Sequence, residues 1–172
     1  MSYTLKASFG IVVALIVSGR VTGQGQGVAS QGLVMQRSLS LGMAKTIAEA
    51  TLAECKSKGF NTAAAVVDRA GQPLVLLRDE QATAQILEMA RRKAYTARMF
   101  RTTSMEFRNR TAKDPTLAGQ RDLADILPLG GGVPIQVGND TIGAAASAGA
   151  TSQEADESCA KAGIAKVADL LK

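Results

Sequence analysis

Histidine is absent from the 172 residues of this chain. Ser-His-Asp triads, Cys-His dyads and His-bearing zinc sites are therefore excluded. Any chemistry must use carboxylates, Lys, Arg, Tyr, Ser, Thr, Cys or Met. The densest set of such groups runs from Arg91 to Arg110, where Arg91, Arg92, Lys93, Arg98, Arg101, Arg108 and Arg110 face one acid, Glu106. Guanidinium groups can clamp a carboxylate or a phosphate, but for most of these residues a solvated helix face is the better reading. Gly130-Gly131-Gly132 can aim its amides at an anion. It lacks the Lys-Ser/Thr ending of a nucleotide loop, and a turn needing positive φ before a strand explains it better. Asp68 and Asp79 are candidates for an acid–base pair, against plainer roles in a turn and in pairing with arginine. Cys55 and Cys159 have no evident activating base, so a nucleophilic role is disfavoured. No cluster with metal-ligand spacing stands out.

These groups need elements to position them. Between 40 and 58, Leu41, Ala44, Ala48, Leu52 and Cys55 fall on one helical stripe, with Ser38 or Ser40 as its cap and Gly59 as its stop. The apolar runs 63–67 and 74–77, split by Asp68-Arg69-Ala70-Gly71-Gln72, predict a hairpin covered on both faces. A helix over 82–100 presents Ile86, Ala90, Ala94 and Ala97, and 111–129 reads as irregular with a short helix. A second hairpin, 133–137 and 141–146, turns at Gly138-Asn139-Asp140, and Pro134 places its strand start or strand at an edge. The last helix is predicted over 152–171, with Thr151 and Glu154 as a capping box. Two adjacent hairpins with helices before, between and after them call for an antiparallel sheet in a three-layer α/β sandwich.

Composition bounds the rest. At 46% hydrophobic and 20% charged the chain has the make-up of one globular domain, and with 3% aromatics it lacks stacking platforms for single-stranded nucleic acid. Residues 1–23 carry Lys6 ahead of an apolar run of signal-peptide length, too short to span a bilayer. Cleavage after Gly23 would send the protein to the periplasm or outside the cell, leave no membrane span and lower the formal charge from +5 to +3. So mild a charge does not argue for a nucleic-acid partner. A Gly/Gln/Ser-rich tether then covers 24–37, and the domain runs over 38–172.

Several segments together resemble the GlcG/HbpS family. They are Ala65-Val66-Val67-Asp68-Arg69-Ala70-Gly71 with Leu77-Arg78-Asp79, Lys93-Ala94-Tyr95-Thr96-Ala97, Leu129-Gly130-Gly131-Gly132-Val133-Pro134-Ile135, Ile142-Gly143-Ala144 with Ser147-Ala148-Gly149-Ala150, and Asp156 to Gly163. The resemblance implies an antiparallel sheet of about five strands flanked by helices, a profilin-like arrangement, and homo-oligomers. In some members it also implies haem binding, here without histidine ligation. Arg78 and Lys93 would then face a pocket, and Tyr95 and Thr96 would border the ligand, with Thr or Tyr oxygen or the Met89, Met99 and Met105 sulfurs as conceivable iron donors. Thr96 back-bonded within its helix, Tyr95 packed and the methionines as core filler are the competing readings. In this fold the first and last helices can lie side by side, which, with export, favours a Cys55–Cys159 disulfide over two buried thiols. The leading expectation is an exported haem-binding domain for haem handling or redox sensing, not a conventional enzyme. An enzyme or accessory acting on a small hydroxy-acid or aldehyde, with Arg78 and Lys93 holding the anion, and a structural oligomeric subunit are the alternatives.

Overall fold

Strands β1 (Ala63–Val67) and β4 (Asp140–Ala148) form the centre of the sheet, because both are buried along almost their whole length. β2 (Pro73–Arg78) and β3 (Gly132–Val137) lie outside them, giving the antiparallel order β2-β1-β4-β3. The computed structural model describes residues 32–172, so the predicted export signal and the tether up to residue 31 lie outside the described residues. The sheet has four strands, the number in the two predicted hairpins, and not the five or so that the resemblance implied. Pro134 is on an edge strand as expected, where a missing N–H leaves no ladder bond unmade. The expectation that both faces of the first hairpin are covered fails for β2. It too is an edge, and Leu76 is exposed.

Alternation along the central strands builds two cores. Ala64, Val66 and Ala145 point toward α1 (Leu41–Ser57) and α4 (Gln153–Ala165), where they meet Ala44, Ile47, Ala48 and Val167. Ala63, Ala65, Val67, Ala144, Ala146 and Ala148 point toward α2 (Ala84–Phe100), meeting Ala90, Ala94 and Ala97. This is the three-layer sandwich. The second core is almost all alanine, which lets the backbone of α2 lie close to the sheet. A Cβ on Gly132 would sit 2.2 Å from the Lys93 carbonyl oxygen. Gly132 of β3 and the alanines of β4 therefore set how near α2 can approach.

Ser40 caps α1 by accepting from Met43 N at 3.2 Å, and Gly59 ends the segment at φ +80°. The cap of α4 is Ser152, which accepts from Ala155 N at 3.1 Å, one residue beyond the expected Thr151. That helix also stops at Ala165, short of the predicted 171, and a 3-10 turn follows at Ala168–Leu170. The segment read as irregular instead begins within α3 (Ser104–Lys113), followed by a 3-10 stretch over Pro115–Asp122. Periodicity missed α3 because it buries only Ser104, Phe107 and Thr111. Thr103 with Glu106 was its legible signal, and Thr103 does accept from Glu106 N at 3.1 Å.

α1 and α4 pack side by side and are joined by Cys55–Cys159, with Cα atoms 5.5 Å apart. Beside the bridge, a Cβ on Gly163 would lie 2.1 Å from Thr51 Oγ1 and 2.6 Å from the Ile47 carbonyl oxygen. Gly163→Ala is expected to lower stability by about 1–3 kcal/mol, since the overlap with α1 backbone outweighs the gain in helix propensity. A urea titration of the variant measures it.

Candidate functional site

The motif Lys93-Ala94-Tyr95-Thr96-Ala97 lies on α2, and the helical period sends its side chains in different directions. Lys93 points inward and is 2% exposed. Its Nζ donates to Asp156 Oδ2 at 2.7 Å and to the Ser147 carbonyl at 3.2 Å. The other oxygen of Asp156 accepts from Ser147 Oγ at 3.2 Å and from Ala150 N at 3.0 Å. Ser147 Oγ in turn lies 3.4 Å from Cys55 Sγ of the disulfide. A buried ammonium is stable only when paired and hydrogen-bonded, and this network supplies both. Asp156 and Ser147 are the members that the sequence reading left without a role. An acid at 156 on the same buried stripe as Cys159, Ala160 and Gly163 was the available signal.

The triple glycine serves this pair. Gly131 has φ +125°, and a Cβ there would lie 3.0 Å from Lys93 Nζ and 2.9 Å from Asp156 Cβ. The flanking amides are already engaged, Gly130 N with Gln153 Oε1 at 2.6 Å and Gly132 N with Ser104 Oγ at 2.8 Å. The loop is thus a close-approach turn and leaves those two amides no freedom to cradle an anion. Above the ion pair opens a cleft of about 520 Å3, with Ile86, Met89 and Leu129 as its apolar wall and Thr151, Ser152 and Gln153 as its polar one.

Thr96 is fully buried and its hydroxyl is engaged twice. Oγ1 donates to the Arg92 carbonyl at 2.8 Å and accepts from Leu127 N at 2.9 Å. It back-bonds and also pins the chain at Leu127. Tyr95, half-buried, lines a second and mainly apolar depression of about 350 Å3 with Met99, Phe100, Leu123, Ala124 and Ile126. Gly71 allows this, because a Cβ at its φ of +80° would lie 2.7 Å from the Tyr95 ring and 2.8 Å from Met99 Cε.

Arg78 is brought to neither hollow. It ends β2, is exposed, and donates to the carbonyls of Asp79 and Ala82, bracing the loop 79–82. Asp79 pairs with Lys56 at 2.6 Å. That bond, with the Gln81 amide, holds its carboxyl below the ordinary range. Asp68 accepts from Ala70 N and Gln72 N, so the two acids belong to separate turns and form no acid–base pair. Among the described residues there is no cluster of acids or cysteines fit to hold a metal.

The basic stretch is mostly spoken for. Arg91 binds Glu88 and Asp125, Arg92 donates to the Ile126 carbonyl, and Arg108 donates to Gln153. Arg110 lies 5.9 Å from the ring centres of Phe100 and Phe107.

The family described as haem degrading protein HbpS-like matches residues 39–165. The chain belongs to the HbpS-like family. The crystal structure of HbpS superposes with a TM-score of 0.75 at 34% identity, over 81% of this chain and 99% of that one. A double mutant of Streptomyces reticuli HbpS gives the same TM-score and identity, over 81% and 95%. The haem complex of PduOC, at 24% identity and TM-score 0.68 over 75% and 94%, shares the fold. No curated protein sequence matches the chain. The alanine-rich β4 and the Lys93–Asp156 pair thus stand, in this HbpS-like chain, on a fold also seen in a haem-binding protein.

Proposed function

We propose that this chain is an exported, homo-oligomeric haem-binding domain used in haem handling or redox sensing. Family membership supports the ligand class, and the PduOC haem complex shows a protein of this fold holding that group. The carrying observation in this chain is the Tyr95 depression. Haem needs an apolar face and an iron donor. Met99, Phe100, Leu123 and Ile126 offer the first. Tyr95, whose phenol makes no hydrogen bond among the described residues, and Met99 offer the second. Thr96 is a poor donor, with its hydroxyl buried and engaged twice. Bound haem would supply a redox-active iron; the chain's part is to shield the ring and orient the phenol. No helix among the described residues is long and apolar enough to cross a membrane.

Titration of the purified protein with haem is expected to give a saturable Soret band. Tyr95→Phe should weaken binding about tenfold or more and alter the visible bands. A featureless, non-saturating response would reject the haem reading.

A second reading rests on the other cleft. Lys93 and Asp156 at the floor of a 520 Å3 hollow with one apolar and one polar wall suit a small hydroxy-acid or aldehyde. Turnover that survives haem removal, and fails in Lys93→Met, would favour it.

A further inference from the structure

Three arginines converge where the hairpin turns meet the C-terminal end of α2. Arg69, from the β1–β2 turn, and Arg98 and Arg101, from α2 and its C-cap, line a hollow of about 420 Å3 together with Gln36, Asn139 and Thr141. One carboxylate of the lining opposes them, Asp140, and Arg69 already grips it with both terminal nitrogens at 2.7–2.8 Å. Arg98 and Arg101 have no ion pair among the described residues. Arg98 Nε is buried without a hydrogen-bond partner. Burial, then repulsion from Arg69 and Arg101, holds the Arg98 guanidinium below its ordinary value. Arg101 also keeps a left-handed backbone, φ 55°, at a position where glycine or asparagine is usual.

We propose that this hollow binds a small oxyanion carrying two or more negative charges, a phosphate or a compact di- or tricarboxylate. Such an ion would neutralise the surplus charge and accept from the terminal nitrogens of Arg98 and Arg101, with the Asn139 amide as a neutral donor. The remaining basic residues of the 91–110 stretch are bound to acids, carbonyls or amides or lie against rings, so these two are the ones left for a ligand. The carboxylate edge of a tetrapyrrole shares this chemistry. The inference does not depend on the haem reading, because it concerns the haem-free protein.

The test compares the Tm of the full haem-free chain in phosphate, in citrate and in sodium chloride at matched ionic strength, since any salt screens repulsion among the arginines. Phosphate or citrate is expected to raise Tm about 3–5 °C beyond chloride, saturating in the millimolar range. The Arg98→Gln/Arg101→Gln variant should fold with an unchanged or higher Tm in chloride and lose the extra rise. Adding haem then separates the sources. Loss of the phosphate-specific rise points to a tetrapyrrole carboxylate as occupant, and its persistence to a free oxyanion. Equal shifts in phosphate and chloride, or a shift retained by the double variant, overturns the proposal.

Discussion

Replacing Asp156 with alanine is expected to destabilise the protein by about 3–5 kcal/mol, among the largest effects of any single substitution here. The change leaves the Lys93 ammonium 2% exposed and without its carboxylate. It also takes the acceptor from Ser147 Oγ and Ala150 N. Lys93→Met alone should cost less, because Asp156 keeps those two donors. The pair Lys93→Met/Asp156→Leu is expected to recover most of the loss, since removing both charges also removes the desolvation penalty. Urea unfolding of the wild type, Lys93→Met, Asp156→Leu and the pair closes the cycle and gives the coupling energy. A loss under about 1 kcal/mol in Asp156→Ala would mean that water from the adjoining cleft solvates Lys93 once its partner is gone.

Removal of the disulfide is the second large effect. Cys55 and Cys159 are 104 residues apart in sequence, so their bond closes most of the domain into one loop. Loop-closure entropy for such a span gives about 4–5 kcal/mol, and measured losses for native bridges run about 2–5 kcal/mol. Cys55→Ala/Cys159→Ala is therefore expected to lower unfolding free energy by about 3–5 kcal/mol at 25 °C. The same variant should show a larger urea m-value, because the freed unfolded chain exposes more surface. A fall in stability with no change in m would place the effect in lost packing around Ser147 and Gly163 instead of in the unfolded state. Thiols that alkylate fully in unreduced protein would show that the bridge does not form.

Local pattern carried much of the architecture. The stripes at 40–58 and 82–100, the two hairpins and the edge position of Pro134 all follow from side-chain period and turn chemistry, which act over a few residues. Where the pattern weakens, the reading fails. α3 has no apolar stripe, so a polar helix was missed. The four apolar residues of β2 suggest cover on both sides, but Leu74, Val75 and Leu77 are only partly buried against the core and Leu76 is exposed, which the packing of the layers decides. The lysine of the family motif was expected to face a pocket, and Lys93 does line a cleft. Its state was not legible, because its partner lies 63 positions away on another helix.

By itself, then, the sequence determined the absence of histidine chemistry, the order of the strands and of the helices other than α3, a favoured pairing of the two cysteines and the family. Tertiary structure decided which charged groups are free. It put Asp156 against Lys93, closed Thr96 over Leu127, turned Arg78 into a brace and left Arg98 and Arg101 unpaired. The physical reason is range. Backbone propensity and burial period are set by neighbours along the chain, whereas the fate of a charge or hydroxyl depends on which distant group the packed layers bring within about 3 Å.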